Sequence, residues 1–239
     1  MAETLSKKQA DRAGNVLRAE QASPEAIRDA TDAISLWRGM HALPLADITM
    51  MLRRYTGAGS AWPAALVARR LKRMPSITGK LKRFPQMQAS RMQDIGGVRV
   101  ILETTQDVCR LHSALCVSDR SQHALELPPN DCIASPKPDG YRSLHQVFRY
   151  NSERHPEFNG LRIELQVRTR LQHAWATAVE TLGTIEKASF KTGEGAEQFK
   201  QFFRLASALF SIEEQQPVLS SLAGQSARSL AAELARLDS

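Results

Sequence analysis

The stretch that most constrains the fold is Leu161 to Arg168. It alternates strictly, with Leu161, Ile163, Leu165 and Val167 on one face and Arg162, Glu164, Gln166 and Arg168 on the other. A strand turns successive side chains to opposite faces, so this pattern is a strand with one buried face. Thr169 follows as an N-cap for a helix from Arg170 to about Lys187, with a stripe of Leu171, Trp175, Ala178, Leu182 and Ile185. His173, Thr177 and Glu180 fall on another side of that helix. Val98 to Leu102 reads as a second, buried strand, and Thr105 to Cys116 as a helix with Val108, Leu111, Leu115 and Cys109 inward. Strands of this kind interleaved with helices imply an α+β fold in which helices flank one sheet.

Asp131 to His145 carries the richest chemistry. Pro136 and Pro138 stiffen Lys137, and Asp139-Gly140 is a turn signal, since glycine takes positive φ without steric cost. The turn delivers Tyr141 and Arg142 into an alternating run, Ser143 to Phe148, that begins a strand. A rigid loop therefore presents a cation, an aromatic ring, an arginine and a histidine in fixed order. A nucleotide needs a phosphate partner, a ring for its base and donors around its ribose. Ala124 to Leu127 reads as a short strand ahead of this loop.

Upstream lies a cationic run of Arg69, Arg70, Lys72 and Arg73, continuing to Lys80, Lys82 and Arg83. On an extended segment Arg70 and Lys72 share a face. Ser76 is expected to cap a short helix, Ile77 to Phe84, with Lys80 one turn inside, so that cations converge near an anion-attracting helix N-terminus. Asp94 stands just before the strand, where a carboxylate is well placed for a metal ion, and Gly96 and Gly97 allow close backbone approach.

The 239 residues suit one domain with an appendage. Residues 1 to 58 read as helices, with Ser23 as an N-cap before Pro24 and His41 as a core or interface histidine. Helices also fill 197 to 214 and about 220 to 237, and the chain stops inside the last pattern, so continuation beyond Ser239 is expected. The expected division is a helical extension over 1–62, a central domain over 63–192 and C-terminal helices over 193–239. The absence of a long apolar run argues against a membrane span, and the absence of an apolar leader argues against secretion. Cys109, Cys116 and Cys132 form no paired spacing, which suits reduced thiols in the cytoplasm. A net charge of +7 suits handling of polyphosphate or RNA.

Two carboxylates, Asp94 and Glu164, surrounded by Arg70, Lys72, Lys80, Arg99, Lys137, Arg142 and Arg168, fit Mg²⁺ on a polyphosphate. No G-x-x-x-x-G-K-S/T is present, which excludes a P-loop mechanism, and no ligand cluster suggests zinc.

At these residues the chain resembles the RelA/SpoT alarmone synthetase family. The resemblance spans roughly Arg69 to Lys191. It rests on Arg70-x-Lys72 with Ser76-Ile77-x-x-Lys80-Leu81, on Asp94-Ile95-x-x-Val98-Arg99, on Asp131-x-Ile133-x-x-Pro136-Lys137-x-x-Gly140-Tyr141-Arg142-Ser143-Leu144-His145, and on Glu164-x-Gln166-x-Arg168-Thr169 with Trp175-Ala176. It implies a nucleotidyltransferase-like mixed sheet, and transfer of the ATP β,γ-pyrophosphate to the 3′-OH of GDP or GTP with Mg²⁺, making (p)ppGpp. In that reading Asp94 and Glu164 hold the metal, and Glu164 helps deprotonate the attacking hydroxyl. Tyr141 stacks on guanine and Arg70 on adenine. Lys72, Lys80 and Lys137 hold phosphates, and His145 and Gln166 support the acceptor side.

The chain departs from the family pattern in two places. Leu127-Pro128-Pro129-Asn130 replaces the basic residues that usually precede the Asp at 131. Glu180 and Phe190-Lys191 are the nearest counterparts of the closing histidine and Tyr-Lys element. Related chains without further domains include small synthetases and toxins that modify tRNA 3′ ends or adenosine nucleotides. A toxin of this kind and a catalytically silent nucleotide-sensing module are thus alternatives to the synthetase. Beyond ATP and GDP or GTP, the partners left open are tRNA, an antitoxin and a second copy of the chain. Trp37-Arg38 and Phe199 to Phe210 are candidate contact surfaces.

Overall fold

The computed structural model describes residues 4–117, 122–186 and 195–237. Three helices open the chain: α1 (Lys7–Arg18), α2 (Pro24–Met40) and α3 (Ala42–Thr56). Ser6 closes α1 with a capping box to Gln9, and Ser23 caps α2 with Pro24 in its first turn. Then come β1 (Leu66–Leu71), α4 (Met74–Arg83), β2 (Gly96–Leu102), α5 (Thr105–Cys116), β3 (Ala124–Asp131) and β4 (Leu144–Arg149). The remainder is β5 (Arg162–Thr169), α6 (Arg170–Ile185), α7 (Glu197–Glu213) and α8 (Ala227–Arg236).

One mixed sheet of order β1-β2-β5-β4-β3 organises these elements. Among the described strands β2 and β5 run parallel, and the other pairs are antiparallel. The register of the parallel pair sets Gly97 beside Glu164 and Arg99 beside Gln166. The opposite face carries Val98, Val100, Leu102, Ile163, Leu165 and Val167. It packs on Leu45, Ile48 and Leu52 of α3 and on Val108, Leu111 and Leu115 of α5, all buried. The alternation therefore splits the sheet into an oily face under two helices and a polar face over the pocket. At Gly96 an added Cβ would stand 2.5 Å from Ile163 Cδ1, so a side chain there would force the end of the Ile163 side chain to shift.

Two further clusters brace this core. Ala10, Leu17, Ile34, Trp37, Ile77, Leu81 and Met92 unite α1, α2 and α4. Trp175, Val179 and Phe203 unite α6 and α7, with Tyr141 packed against them.

Several local expectations are corrected. Helix α4 begins at Met74 with Arg73 as its N-cap residue, so Ser76 lies inside the first turn. Pro75 is the reason: its fixed φ and missing N–H are tolerated in a first turn, which extends the helix toward the N-terminus. Strand β3 runs on to Asp131, through Pro128 and Pro129, with a register shift between Glu126 and Asn130. Proline fits there because β3 is an edge strand and the shift leaves those positions unpaired. Cys109 is exposed. The stripe of α6 is rotated by about one residue, burying Gln172, Trp175, Ala176 and Val179 while Ala178 and Ile185 face out. The last helix is confined to Ala227–Arg236, after a turn at Ser220–Leu222 and Gly224 at φ +80. Trp37 is buried among the N-terminal helices and unavailable as a contact surface, whereas Phe202 is exposed.

His41 is a core histidine, with Nδ1 bonded to the Trp37 carbonyl at 2.8 Å. Burial pushes its imidazole down from 6.5 to about 4, and the bond to Trp37 offsets only part of this. As pH falls from 6.5 toward 4, the unfolded chain takes up a proton that the folded one refuses. Stability is therefore full above pH 6.5 and declines across that window, by about 3 kcal/mol at its lower end. His123 and His173, also depressed first by burial, add in the same direction. A His41→Gln variant should show a flatter fall in urea midpoint between pH 7 and 4.5. An unchanged slope would assign the effect to other groups.

Candidate active site

The polar sheet face opens into a pocket lined by Ala68, Arg69, Arg70, Asp94, Gly97, Val98, Arg99, Glu164 and Gln166. The edge strand β1 brings Arg70 opposite Gly97. Gly97 has no side chain, which leaves open the floor beside Glu164; a Cβ would lie 4.0 Å from Oε2. The two carboxylates expected to act together thus line one pocket.

Asp94 is gripped by two ammonium groups, Lys72 Nζ at 2.8 Å and Lys80 Nζ at 2.9 Å, one on each carboxylate oxygen. Burial pushes the Asp94 carboxyl up, but the hydrogen bonds and charges of Lys72 and Lys80 hold it below the usual carboxylate range. Lys80 belongs to the last turn of α4, so the cations converge on Asp94 and not on the helix N-terminus.

Glu164 is fixed from both sides. His145 Nδ1 sits 2.9 Å from Oε1, and Gln166 Nε2 donates to Oε2 at 2.9 Å. Burial pushes the Glu164 carboxyl up and the Asp94 charge adds to this, yet His145 and Gln166 bring it below its ordinary value. Gln166 Oε1 in turn accepts from Arg168 Nη2 at 2.8 Å and from Arg99 Nη2 at 3.3 Å. Arg168 is buried, which pushes its guanidinium down to about 10, and its Nε and Nη1 have no hydrogen-bond partner among the described residues.

Tyr141 stands at the other end of the same network. Its hydroxyl lies 2.8 Å from His145 Nε2, and its ring meets Trp175 edge-on. The ring is half-buried, with Lys137 Nζ 5.1 Å from its centroid, so a cation covers the ring on which the resemblance would stack guanine. Arg142 is the residue the fold takes away from the pocket. Its buried guanidinium donates to Ser207 Oγ, the Ile133 carbonyl and the Pro217 carbonyl, tying the turn to α7 and the loop after it. Ser207, Pro217 and Glu214, which bonds Thr169 and Gln172, carry no motif, and their contribution became visible only with the C-terminal helices in place. Asn130 pairs with His145 across β3 and β4 and brings no charge. Glu180 sits on the exposed side of α6, and Phe190-Lys191 lies outside the described residues.

Residues 69–192 match a family model described as the region found in RelA / SpoT proteins. The chain belongs to this family. Among curated relatives, a GTP pyrophosphokinase, YjbM, of Bacillus subtilis (strain 168) is 30% identical over 122 residues, covering 50% of this chain and 56% of that protein. A second from the same organism, YwaC, is 28% identical over 113 residues, covering 45% and 52%. The chain spans about half the length of the curated relatives it matches. Among solved structures, small alarmone synthetase 1 from Bacillus subtilis bound to its product pppGpp aligns with a TM-score of 0.63 at 22% identity, covering 75% of this chain and 93% of that one. A GTP pyrophosphokinase family protein from Streptococcus pneumoniae aligns at 0.60 and 21%, covering 82% and 95%. At these identities the likeness shows the fold: a five-stranded mixed sheet flanked by helices.

Among the described residues no group of three or more His, Cys, Asp or Glu side chains could cage a metal, and no helix is long and apolar enough to cross a membrane. Two carboxylates in one cleft are nonetheless the donor set for an ion that draws its remaining ligands from phosphate oxygens. The residues present fit Mg²⁺ in that form, provided Lys72 and Lys80 release Asp94.

Gly140 holds the Tyr141 turn at φ +95, and a Cβ there would meet Ser207 Cβ at 2.9 Å and Trp175 at 3.1 Å. Gly140→Ala combines a left-handed strain of about 1–3 kcal/mol with that clash. Chemical denaturation should show a loss of about 2 kcal/mol or more; a neutral result would mean that the turn is free of α7.

Proposed function

We propose that this protein is an ATP-dependent pyrophosphokinase that moves the β,γ-pyrophosphoryl group of ATP to the 3′-OH of GDP or GTP. The observation that carries this reading is the pairing of Asp94 and Glu164 in one cationic pocket. Phosphoryl chemistry asks for position and charge neutralisation more than for covalent help, and the pocket offers both.

In this reaction the acceptor 3′-oxygen attacks the β-phosphorus, the Pα–O–Pβ bond breaks, and AMP leaves. The hydroxyl proton passes to the Glu164 carboxylate, which is ionised and held by His145 and Gln166. Arg70, on the edge strand beside the pocket, offers a cationic plane suited to the adenine ring. Lys72 and Lys80 exchange Asp94 for phosphate oxygens as the triphosphate arrives, so that two ammonium groups pass from a carboxylate to the substrate. Bound Mg²⁺, held by Asp94 and Glu164, would neutralise charge on the phosphate oxygens. Tyr141 offers its ring to the acceptor base once Lys137 swings from it to a phosphate. With Asn130 neutral, Arg99, Lys137 and Arg168 supply the charge that a basic residue before Asp131 would add.

Purified protein with γ-labelled ATP, Mg²⁺ and separate GDP, GTP, AMP, ATP and deacylated tRNA tests the reading. Label should move to GDP or GTP, and Glu164→Gln should lower the rate by about a hundredfold or more, the scale of a lost general base. Transfer to AMP, ATP or tRNA instead would favour the toxin-type acceptors. Wild-type label transfer no greater than the background shown by Glu164→Gln, with every acceptor, would leave a nucleotide-binding module.

Tyr141→Ala should raise the acceptor KM, because base stacking on an aromatic ring contributes about 1–3 kcal/mol. Binding of a non-hydrolysable ATP analogue should change little in that variant. Equal loss of acceptor and donor binding would reject the stacking assignment.

A further inference from the structure

Tyr141 contributes more to the site than a ring. Its hydroxyl, His145 and Glu164 form an unbroken line: Tyr141 Oη to Nε2 at 2.8 Å, then Nδ1 to Glu164 Oε1 at 2.9 Å. The carboxylate can only accept, so Nδ1 must carry the hydrogen that points at it. A neutral imidazole has one N–H, which leaves Nε2 bare as an acceptor. The Tyr141 O–H must then donate to Nε2. The carboxylate thus fixes the tautomer, and the phenol, by donating to the bare Nε2, holds the imidazole in the plane that aims its donor at Glu164. Gln166 pins the other carboxylate oxygen, so rotation of Glu164 is blocked at both ends.

We propose that His145 is a positioning residue that links the base-stacking ring of Tyr141 to the orientation of the Glu164 carboxylate. A base seated on Tyr141 sets the ring, the ring's hydroxyl sets His145, and His145 sets the oxygen that receives the acceptor proton. Acceptor binding is thereby registered at the reacting atoms, about one imidazole away. This rests on the proposed pyrophosphokinase reading for its consequence in rate, but not for its hydrogen-bond pattern.

Two measurements separate the pattern from the reaction. The first is ¹⁵N NMR of the ligand-free wild-type protein with labelled histidine. His145 should appear as the Nδ1–H tautomer, and Tyr141→Phe should move the Nε2 resonance from that of a hydrogen-bonded nitrogen to that of a bare one. A wild-type Nε2–H tautomer overturns the proposal whatever the protein catalyses. The second is a kinetic cycle. Tyr141→Phe keeps the ring and removes the donor, so the acceptor KM should change little while kcat falls about tenfold, equivalent to about 1.4 kcal/mol.

His145→Asn sets an amide where Nδ1 stands and should retain more activity than His145→Ala. In the Tyr141→Phe/His145→Asn double variant the tyrosine change should add nothing further, because its partner atom is gone. Additive effects, or Tyr141→Phe with unchanged kcat, would overturn the link. A wild-type protein inactive with every acceptor, yet showing the Nδ1–H tautomer with an Nε2 resonance sensitive to Tyr141→Phe, would sink the pyrophosphokinase reading and leave the positioning network standing.

Discussion

Parallel pairing of β2 with β5 is the contact on which the rest of the site depends. A parallel neighbour at equal height sends its side chain to the same face, so Gly97 and Arg99 stand over the same floor as Glu164 and Gln166. A slip of one residue would bury Glu164 and Gln166 under α3 and expose Ile163 and Leu165. The oily face forbids that slip, since Leu165 and Val167 are fully buried against α3 and α5. The same hydrophobic burial that stabilises the fold thereby sets the register of the polar groups.

Charge in the pocket is arranged as internal compensation. Asp94 is neutralised by Lys72 and Lys80, and Glu164 by the network through His145, Gln166, Arg99 and Arg168. Breaking such partly buried pairs without replacement is costly, because a charge is left out of water. An incoming triphosphate offers the two lysines an equivalent partner, which keeps the exchange close to balanced. Arg168, with two nitrogens lacking an acceptor among the described residues, holds spare donor capacity beside Gln166.

The C-terminal helices act on the site at one remove. Helix α7 bonds the Gly140 carbonyl through Ser207 Oγ, and the Phe203 carbonyl accepts from Trp175 Nε1. Arg142 spans from the turn to Ser207 and Pro217. The loop that carries Lys137 and Tyr141 is therefore clamped from behind by residues some 65 to 75 positions later in the chain. Its rigidity comes from this clamp as much as from its two prolines.

Much of this was legible in the sequence, because local pattern encodes local geometry. Alternation from Leu161 to Val167 named the face of Glu164, Ser23-Pro24 named a helix start, and Asp139-Gly140 named a turn. The family motifs carried the mixed α+β fold and the identity of the family. What only the tertiary structure decided were matters of long-range contact and of single-residue phase. Arg142 reads as a ligand beside Tyr141, yet it points toward α7 because Pro217 and Ile133 offer carbonyls in a dry site. Lys80 reads as lying near a helix start, yet the helix begins at Met74, which sets Lys80 in its last turn, paired with Asp94. The line from Tyr141 through His145 to Glu164 joins two strands and a turn, and no spacing along one chain encodes the meeting of side chains across a sheet.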